Sequence, residues 1–274
     1  MSANPTWDRA GSLPVPVTES SARRMPELAS LRDEQPSVDS LFTFMRDAEL
    51  RFATLRMRIE EHTWTTRGEE VVASEVTLRH PGQVRILTTT TVVDAETPAG
   101  SPADASGAYD AWVSDGTTVQ TYTASRKVGT RRPARPQVRG VADDRSLPGR
   151  SRFYVPQTQL PMESLAELFI HPAGYCQNVL STGDCRVVGT AVVAGRQAIV
   201  LECAHPRSIE RIADRPDFRI RVSVDRADGV IVRLEERIGD QLTRDAIVTS
   251  YSPDASLPPA AFELRFPPDT TLVY

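Results

Sequence analysis

The sequence predicts an α+β protein built on one antiparallel sheet of about nine to eleven strands, mostly in sequential order, with two helices inserted. Three observations predict it. Apolar and polar residues alternate with a period of two over most of the chain beyond residue 55. Two short stretches, 37–52 and 161–170, switch to three- and four-residue spacing. Nowhere do strand and helix patterns alternate as a doubly wound parallel sheet requires.

Residues 1–35 are rich in Pro, Ser, Ala and Arg without a clean period, which predicts a disordered or loosely attached arm before a single domain over 36–274. Pro36 with Ser37 or Asp39 is a helix-start signal, and Leu41, Phe44, Met45, Ala48 and Phe52 then share one face. Leu55, Met57 and Ile59 alternate with Arg56, Arg58 and Glu60. Val72, Val76 and Leu78 continue the pattern, His80-Pro81-Gly82 turns, and Val84, Ile86, Thr88, Thr90 and Val92 resume it. Residues 94–108 read as a loop. Residues 111–122 read as a hairpin, because Gly116 after Asp115 accepts the positive φ of a tight turn.

The stretch 124–156 is rich in Arg, Pro, Gly and Asp, too long for an ordinary connection, and is expected to be a long disordered loop or a functional lid. Met162, Leu165, Leu168 and Phe169 mark the second helix, which His171-Pro172 stops. A loop between Cys176 and Cys185 leads to strands at 186–193 and 197–203. A meander follows at 218–224, 230–238 and 241–251, then a proline-bracketed aromatic tail from Leu257 to Pro268.

A formal charge of −4 and a pI near 5.7 give no electrostatic case for nucleic acid or anionic membrane as partner. Lys127 is the only lysine, so the arginine excess reads first as coding bias in a GC-rich genome. No apolar run approaches the ~20 residues that span a bilayer. The first residues lack the pattern of a secretory signal, so the chain as written is expected in the cytoplasm, or outside it if the start is misassigned or trimmed. Of the three cysteines, Cys176 and Cys185 could bridge in an oxidising compartment; in the cytoplasm Cys176, Cys185 and Cys203 would be free thiols.

No nucleophile elbow, zinc-protease helix, phosphate loop, dinucleotide fingerprint or paired-cysteine motif occurs. His62, His80, His171 and His205 are dispersed, three of them directly before prolines, a pattern of turns rather than of a metal site. Asp143-Asp144 falls in the Arg/Pro stretch. Glu235 and Glu236 are strand neighbours and so face opposite sides. The expectation is a protein without catalytic residues, metal or cofactor.

Five segments in order resemble the superfamily of LolA-type lipoprotein carriers and RseB/MucB-type regulators of envelope stress. They are the Pro81-Gly82 turn, the hairpin over 113–122, the hairpin over 187–201 with Gly195-Arg196 at its turn, the Val224-Asp225 to Gly229 turn, and the terminal stretch from Leu257 to Pro268. The chain departs from the carriers at His80, where they place an arginine that holds a lid, and in showing no export signal.

The resemblance implies a strongly curved, unclosed barrel with helices in its concave face, and a cavity there for acyl chains. Candidate lining residues are Leu41, Phe44, Met45, Leu168 and Phe169 on helices, and Met57, Ile59, Val76, Leu78, Val84, Ile86, Trp112, Ile220, Val222 and Phe262 on the sheet. The expected function is binding of a hydrophobic or acylated ligand, a lipid or an acylated protein. The alternative is a regulator-type protein-interaction module, in a sigma/anti-sigma pathway or as a scaffold, with a filled core and no ligand.

Overall fold

The computed structural model describes residues 28–65, 68–94, 109–134, 140–142, 153–206 and 217–273. Most of the expected arm, the loop over 95–108 and Asp143-Asp144 lie outside the described residues. The described end of the arm, 28–35, is coil tied to the domain: Arg51 donates to the Ala29 carbonyl, and Arg226 to those of Asp33 and Glu34.

Helix α1 (Val38–Arg46) begins where Ser37 caps it, accepting the Ser40 amide at 3.2 Å. It is shorter than its apolar spacing suggests. Asp47, fully buried and gripped by Arg46 at 2.9 and 3.2 Å, ends it, and a 3-10 turn at Ala48–Leu50 follows. Three long strands come next, β1 (Thr54–Thr65), β2 (Gly68–Arg79) and β3 (Gln83–Asp94), then β4 (Tyr109–Asp115) and β5 (Thr118–Thr123). Asp115 makes the turn between the last two by accepting the amides of Thr117 and Thr118 at 2.8 and 2.7 Å.

The Arg/Pro stretch over 124–156 is not one long loop. Its described part forms β6 (Val128–Pro133) and a small separate pair, β7 (Gly140–Ala142) with β8 (Phe153–Val155). Arg131 and Arg132 therefore stand on a strand paired with β5, where cross-strand hydrogen bonds override low intrinsic strand propensity. Helix α2 (Leu165–Ile170) ends at His171 as expected, but it starts only after Ser164, which caps it, so Met162 lies outside the helix and exposed. Pro172 then starts a further helix, α3 (Ala173–Asn178), which the sequence did not signal and which runs into the loop expected after Cys176.

The remaining strands are β9 (Asp184–Val193), β10 (Arg196–Ala204), β11 (Phe218–Asp225), β12 (Ile231–Ile238), β13 (Gln241–Pro253) and β14 (Thr271–Val273). The main sheet has twelve strands in the order β14-β6-β5-β4-β3-β2-β1-β13-β12-β11-β10-β9. All neighbours are antiparallel except β14 with β6. Two meanders, β1–β6 and β9–β13, meet where β1 pairs with β13. The outermost strands are β14 and β9, so the sheet stays open.

The sheet curves around its helices. A flat sheet would separate β3 from β10 by about 29 Å at the usual strand spacing, while α1, with nine residues, is only about 13 Å long. Yet Val84 of β3, Leu201 of β10 and Leu41 of α1 belong to one apolar core, and α2 touches both β2 and β12. Cross-strand pairs Leu55–Leu78, Met57–Val76, Val76–Ile86 and Leu78–Val84 place these side chains on the helix-covered, concave face. Close approach of α1 to the β11–β12 turn needs Gly229, at φ +76°, where a Cβ would sit 3.1 Å from the Phe44 ring.

The convex face carries the neighbours in between. On β9 to β13 and β1 it is charged, with Arg186, Glu202, Arg221, Glu235, Asp245 and His62 in one row across six strands. On β4 and β5 it carries apolar side chains: Ala111, Val113 and Tyr122 are buried there. The proline-bracketed tail covers them. Phe266 meets Tyr122 at 6.3 Å and packs on Gly129, Phe262 lies under the Arg79 guanidinium at 5.2 Å, and Arg79 also donates to the Leu257 carbonyl. Phe262 is thus on the opposite face from the one expected. The terminal segment covers the outside of the sheet where β4 and β5 present Ala111, Val113 and Tyr122.

Replacing Phe262 by Ala is expected to destabilise the fold by about 3 kcal/mol. Limited proteolysis should then cut first near the tail, while the near-ultraviolet signal of the concave core persists below the transition. Simultaneous loss of both would contradict the placement of Phe262.

Candidate functional site

Residues expected to line a guest cavity instead touch one another. Leu41, Met45, Met57, Ile59, Val76, Leu78, Val84, Ile86, Phe169, Ile220 and Val222 are buried within a single core, and Trp112 and Leu168 pack against it. Phe44 lies beside this core, against Gly229 and with Arg51 4.1 Å above its ring. Phe262 lies outside it, in the tail on the convex face. The helices reach the sheet through direct side-chain packing: α1 meets α3 and β9, and α2 meets β2 and β12.

Beyond Ile59 the concave face turns polar. Arg244 is shared by Glu61 and by Glu236, the latter at 3.0 Å, and the two acids also hold its guanidinium above its ordinary pKa against the opposing effect of burial. Burial beside this trio pushes the Tyr175 hydroxyl of α3 well above the usual phenol range. Glu235, next in sequence to Glu236, faces the other way and meets Arg233 and Arg237 at 3.5 and 3.7 Å, as strand alternation requires.

The histidines occupy separate environments. His80 pairs with the buried Thr158 hydroxyl at 2.7 Å, and Thr158 accepts the Gly82 amide at 2.9 Å. A histidine and a threonine thereby fasten the β2–β3 turn to the segment before α2. His171 lies 3.3 Å from the buried Glu49. His62, on the convex face, stands 2.6 Å from Glu69 and 3.0 Å from Glu60 and stacks on Trp64. Hydrogen bonds to Glu69 and then Glu60 hold its pKa above the usual histidine value. Among the described residues no three His, Cys, Asp or Glu side chains form a metal-holding group.

The cysteines do not group as the sequence spacing suggested. Cys185 stands directly opposite Cys203 on the neighbouring strand, while Cys176 lies beneath α1 with its sulfur 3.7 Å from that of Met45.

A sizeable opening lies on the convex face, between the sheet and the tail. This groove has a volume of about 640 Å³ and is lined by Arg58, Ala73, Glu75, Arg85, Leu87, Thr89 and Tyr109 of the sheet. Ala260, Glu263, Leu264 and Arg265 of the tail close its other side. The volume is in the range of ligand pockets. Arg58 pairs with Glu75 at 2.9 Å, and Arg85 donates to the Glu263 carbonyl at 3.4 Å, leaving an apolar strip of Leu87, Tyr109 and Leu264 between charged banks. Sequence reasoning missed it, since its two walls are about 170 residues apart and only the tertiary path of the tail joins them.

No protein-family model and no curated protein matches the chain. Similar solved structures include MucB, at 15% identity over 83% of this chain and 62% of that one, with a TM-score of 0.44. A MucA/MucB complex from Pseudomonas aeruginosa gives 15% identity over 83% and 61%, with a TM-score of 0.42. A LolA superfamily protein from Nitrosomonas europaea gives 10% identity over 84% and 98%, with a TM-score of 0.27. The chain spans less than two thirds of the MucB structures' length. These names coincide with the two branches that the motifs resemble; at such identities and scores they say nothing of what this chain binds. No helix among the described residues is long and apolar enough to cross a membrane.

The raised pKa of His62 fixes a sign. Its folded form holds the proton more tightly than the unfolded chain, so its contribution is complete below the unfolded value of about 6.5 and is lost as pH rises through the folded value. A proton NMR titration should place His62 above an ordinary histidine, and Glu69→Gln should lower it. The stability deficit of that variant is expected to be larger at low pH than at high pH; a pH-independent deficit would overturn the assignment.

Proposed function

We propose that the chain is a non-enzymatic binding module of the regulator type, which engages an extended protein segment on its outer face and keeps its concave face as a filled core. The observation that carries this reading is the mutual burial of the helix and sheet residues expected to line an acyl cavity. A core packed at interior density has no room for an alkyl chain unless the helices withdraw, and withdrawal would expose that entire apolar face.

The groove beneath the tail supports the same reading. Five of its lining side chains, Arg58, Glu75, Arg85, Glu263 and Arg265, are charged. An alkyl chain laid there would desolvate them without returning a hydrogen bond. An extended peptide satisfies them through its backbone and side-chain polar groups, while one apolar anchor covers Leu87, Tyr109 and Leu264. An anchor of this kind is expected to supply most of the affinity.

Native mass spectrometry of protein purified from its own host, joined to solvent extraction, tests the choice. The expected result is no stoichiometric acyl species and a bound partner whose cross-links map to 58–89 and 260–265, weakened at least tenfold by Leu87→Glu. A co-purifying acyl chain displaced by Met57→Trp, and indifferent to Leu87→Glu, would overturn the proposal in favour of a carrier.

A further inference from the structure

Two sulfurs on the outermost strand pair form a dithiol that the binding function does not use. Cys185 of the edge strand β9 and Cys203 of β10 are direct cross-strand partners. Directly opposed residues in an antiparallel pair lie about 4.5–5.5 Å apart at Cα with side chains on the same face, inside the span that a disulfide bridges. The register is corroborated by a shared acceptor: both thiols donate to the Leu180 carbonyl, at 3.1 Å from Cys185 and 3.3 Å from Cys203. Leu180 itself is buried, so its carbonyl orients both S–H groups inward toward one point.

We propose that Cys185 and Cys203 are a site of reversible covalent modification, closing to an intrachain cross-strand disulfide on exchange with a low-molecular-weight disulfide, with Cys176 as a bystander. The roles of the two thiols differ. Cys185 is half-buried and accessible, and the neighbouring Cys203 thiol, free to turn from the Leu180 carbonyl and donate to the Cys185 thiolate, holds the Cys185 pKa below that of a free cysteine. Cys203 is buried, and the same pairing with burial pushes its thiol up. Cys185 is accordingly the attacking thiolate.

Its sulfur attacks one sulfur of the reagent, forming a mixed disulfide and releasing one thiolate. The Cys203 thiol then gives up its proton to solvent and attacks the Cys185 sulfur, releasing the second thiolate. Two protein thiols lose two electrons and two protons, and one small disulfide becomes two thiols. Cys176 takes no part, because burial raises its pKa and its sulfur rests against Met45.

The bond would close a loop containing the β9–β10 turn and fasten the open edge of the sheet. It would also remove both S–H donors from the Leu180 carbonyl, which would keep the Gly183 amide at 3.1 Å.

The test is incubation of the reduced full-length chain in a buffer of oxidised and reduced glutathione, followed by intact mass, thiol counting under denaturing conditions and peptide mapping. Wild type and Cys176→Ser are expected to lose two thiols and about two mass units, with the link mapped between 185 and 203. Cys185→Ser should lose none to an intrachain bond. The oxidised wild type should melt several degrees above the reduced form, a shift absent from Cys185→Ser. Since Cys203→Ser alters a buried position, Cys185→Ser carries the decision, with circular dichroism confirming its fold. A bond to Cys176, a persistent glutathione adduct on Cys185, or a disulfide-linked dimer would each overturn the proposal.

Discussion

The packing of three short helices into one side of a long, curved sheet is the interaction on which the rest depends. Leu41 and Met45 of α1, Phe169 of α2 and Cys176 of α3 are buried in the same core as strand residues from β1 to β3 and β10 to β13. None of these helices exceeds nine residues, and helices so short are marginal alone in water. They exist because the sheet gives their apolar sides somewhere to go. The sheet in turn bends because its two meanders reach the same small group of helices from opposite sides.

Charge is sorted by the same two-sidedness. On the solvated outer side, Arg186–Glu202, Arg58–Glu75 and Arg233–Asp245 pair across strands at 2.7 to 2.9 Å. Exposed pairs such as Arg58–Glu75 contribute little individually, at most about 1 kcal/mol, and their repetition keeps the outer face soluble and in register. The arrangement around Arg244 differs because it is more enclosed. There two carboxylates share one guanidinium, so each ion's desolvation must be met by a close partner. Arg196 plays a similar part at the far end, bridging Asp225 at 2.9 Å and Asp228 at 2.6 Å while covering the Tyr251 ring.

Much of the architecture was legible in the sequence because period two is hard to counterfeit over twelve-residue strands. Met57 and Ile59 on one side with Arg58 and Glu60 on the other are where alternation puts them, and Ser37 caps its helix as the helix-start signal suggested. The failures share a cause. β6 hid in an Arg/Pro-rich stretch because its order comes from pairing with β5 on one side and with β14, remote in sequence, on the other. α3 hid because its turn-like sequence is helical only against the core. Phe262 was assigned to the wrong side because a tail outside the strands has no alternation to say which side it takes. The groove was illegible for the same reason, since half of its wall is that tail.

The seam between β1 and β13 imposes an order of events as well as a shape. Leu55 pairs with Pro253 and Thr63 with Arg244, contacts separated by some 180 to 200 residues, whereas nearly every other strand pairs with its immediate successor. On a chain emerging from a ribosome, the first meander therefore waits with one flank of β1 bare until β13, some 180 to 200 residues later, has been made. Loop-closure entropy makes such late, distant pairings slow to form, and an unpaired twelve-residue flank is a template for the wrong strand. The time between synthesis of β1 and arrival of β13 is thus the interval in which this protein is most exposed to aggregation.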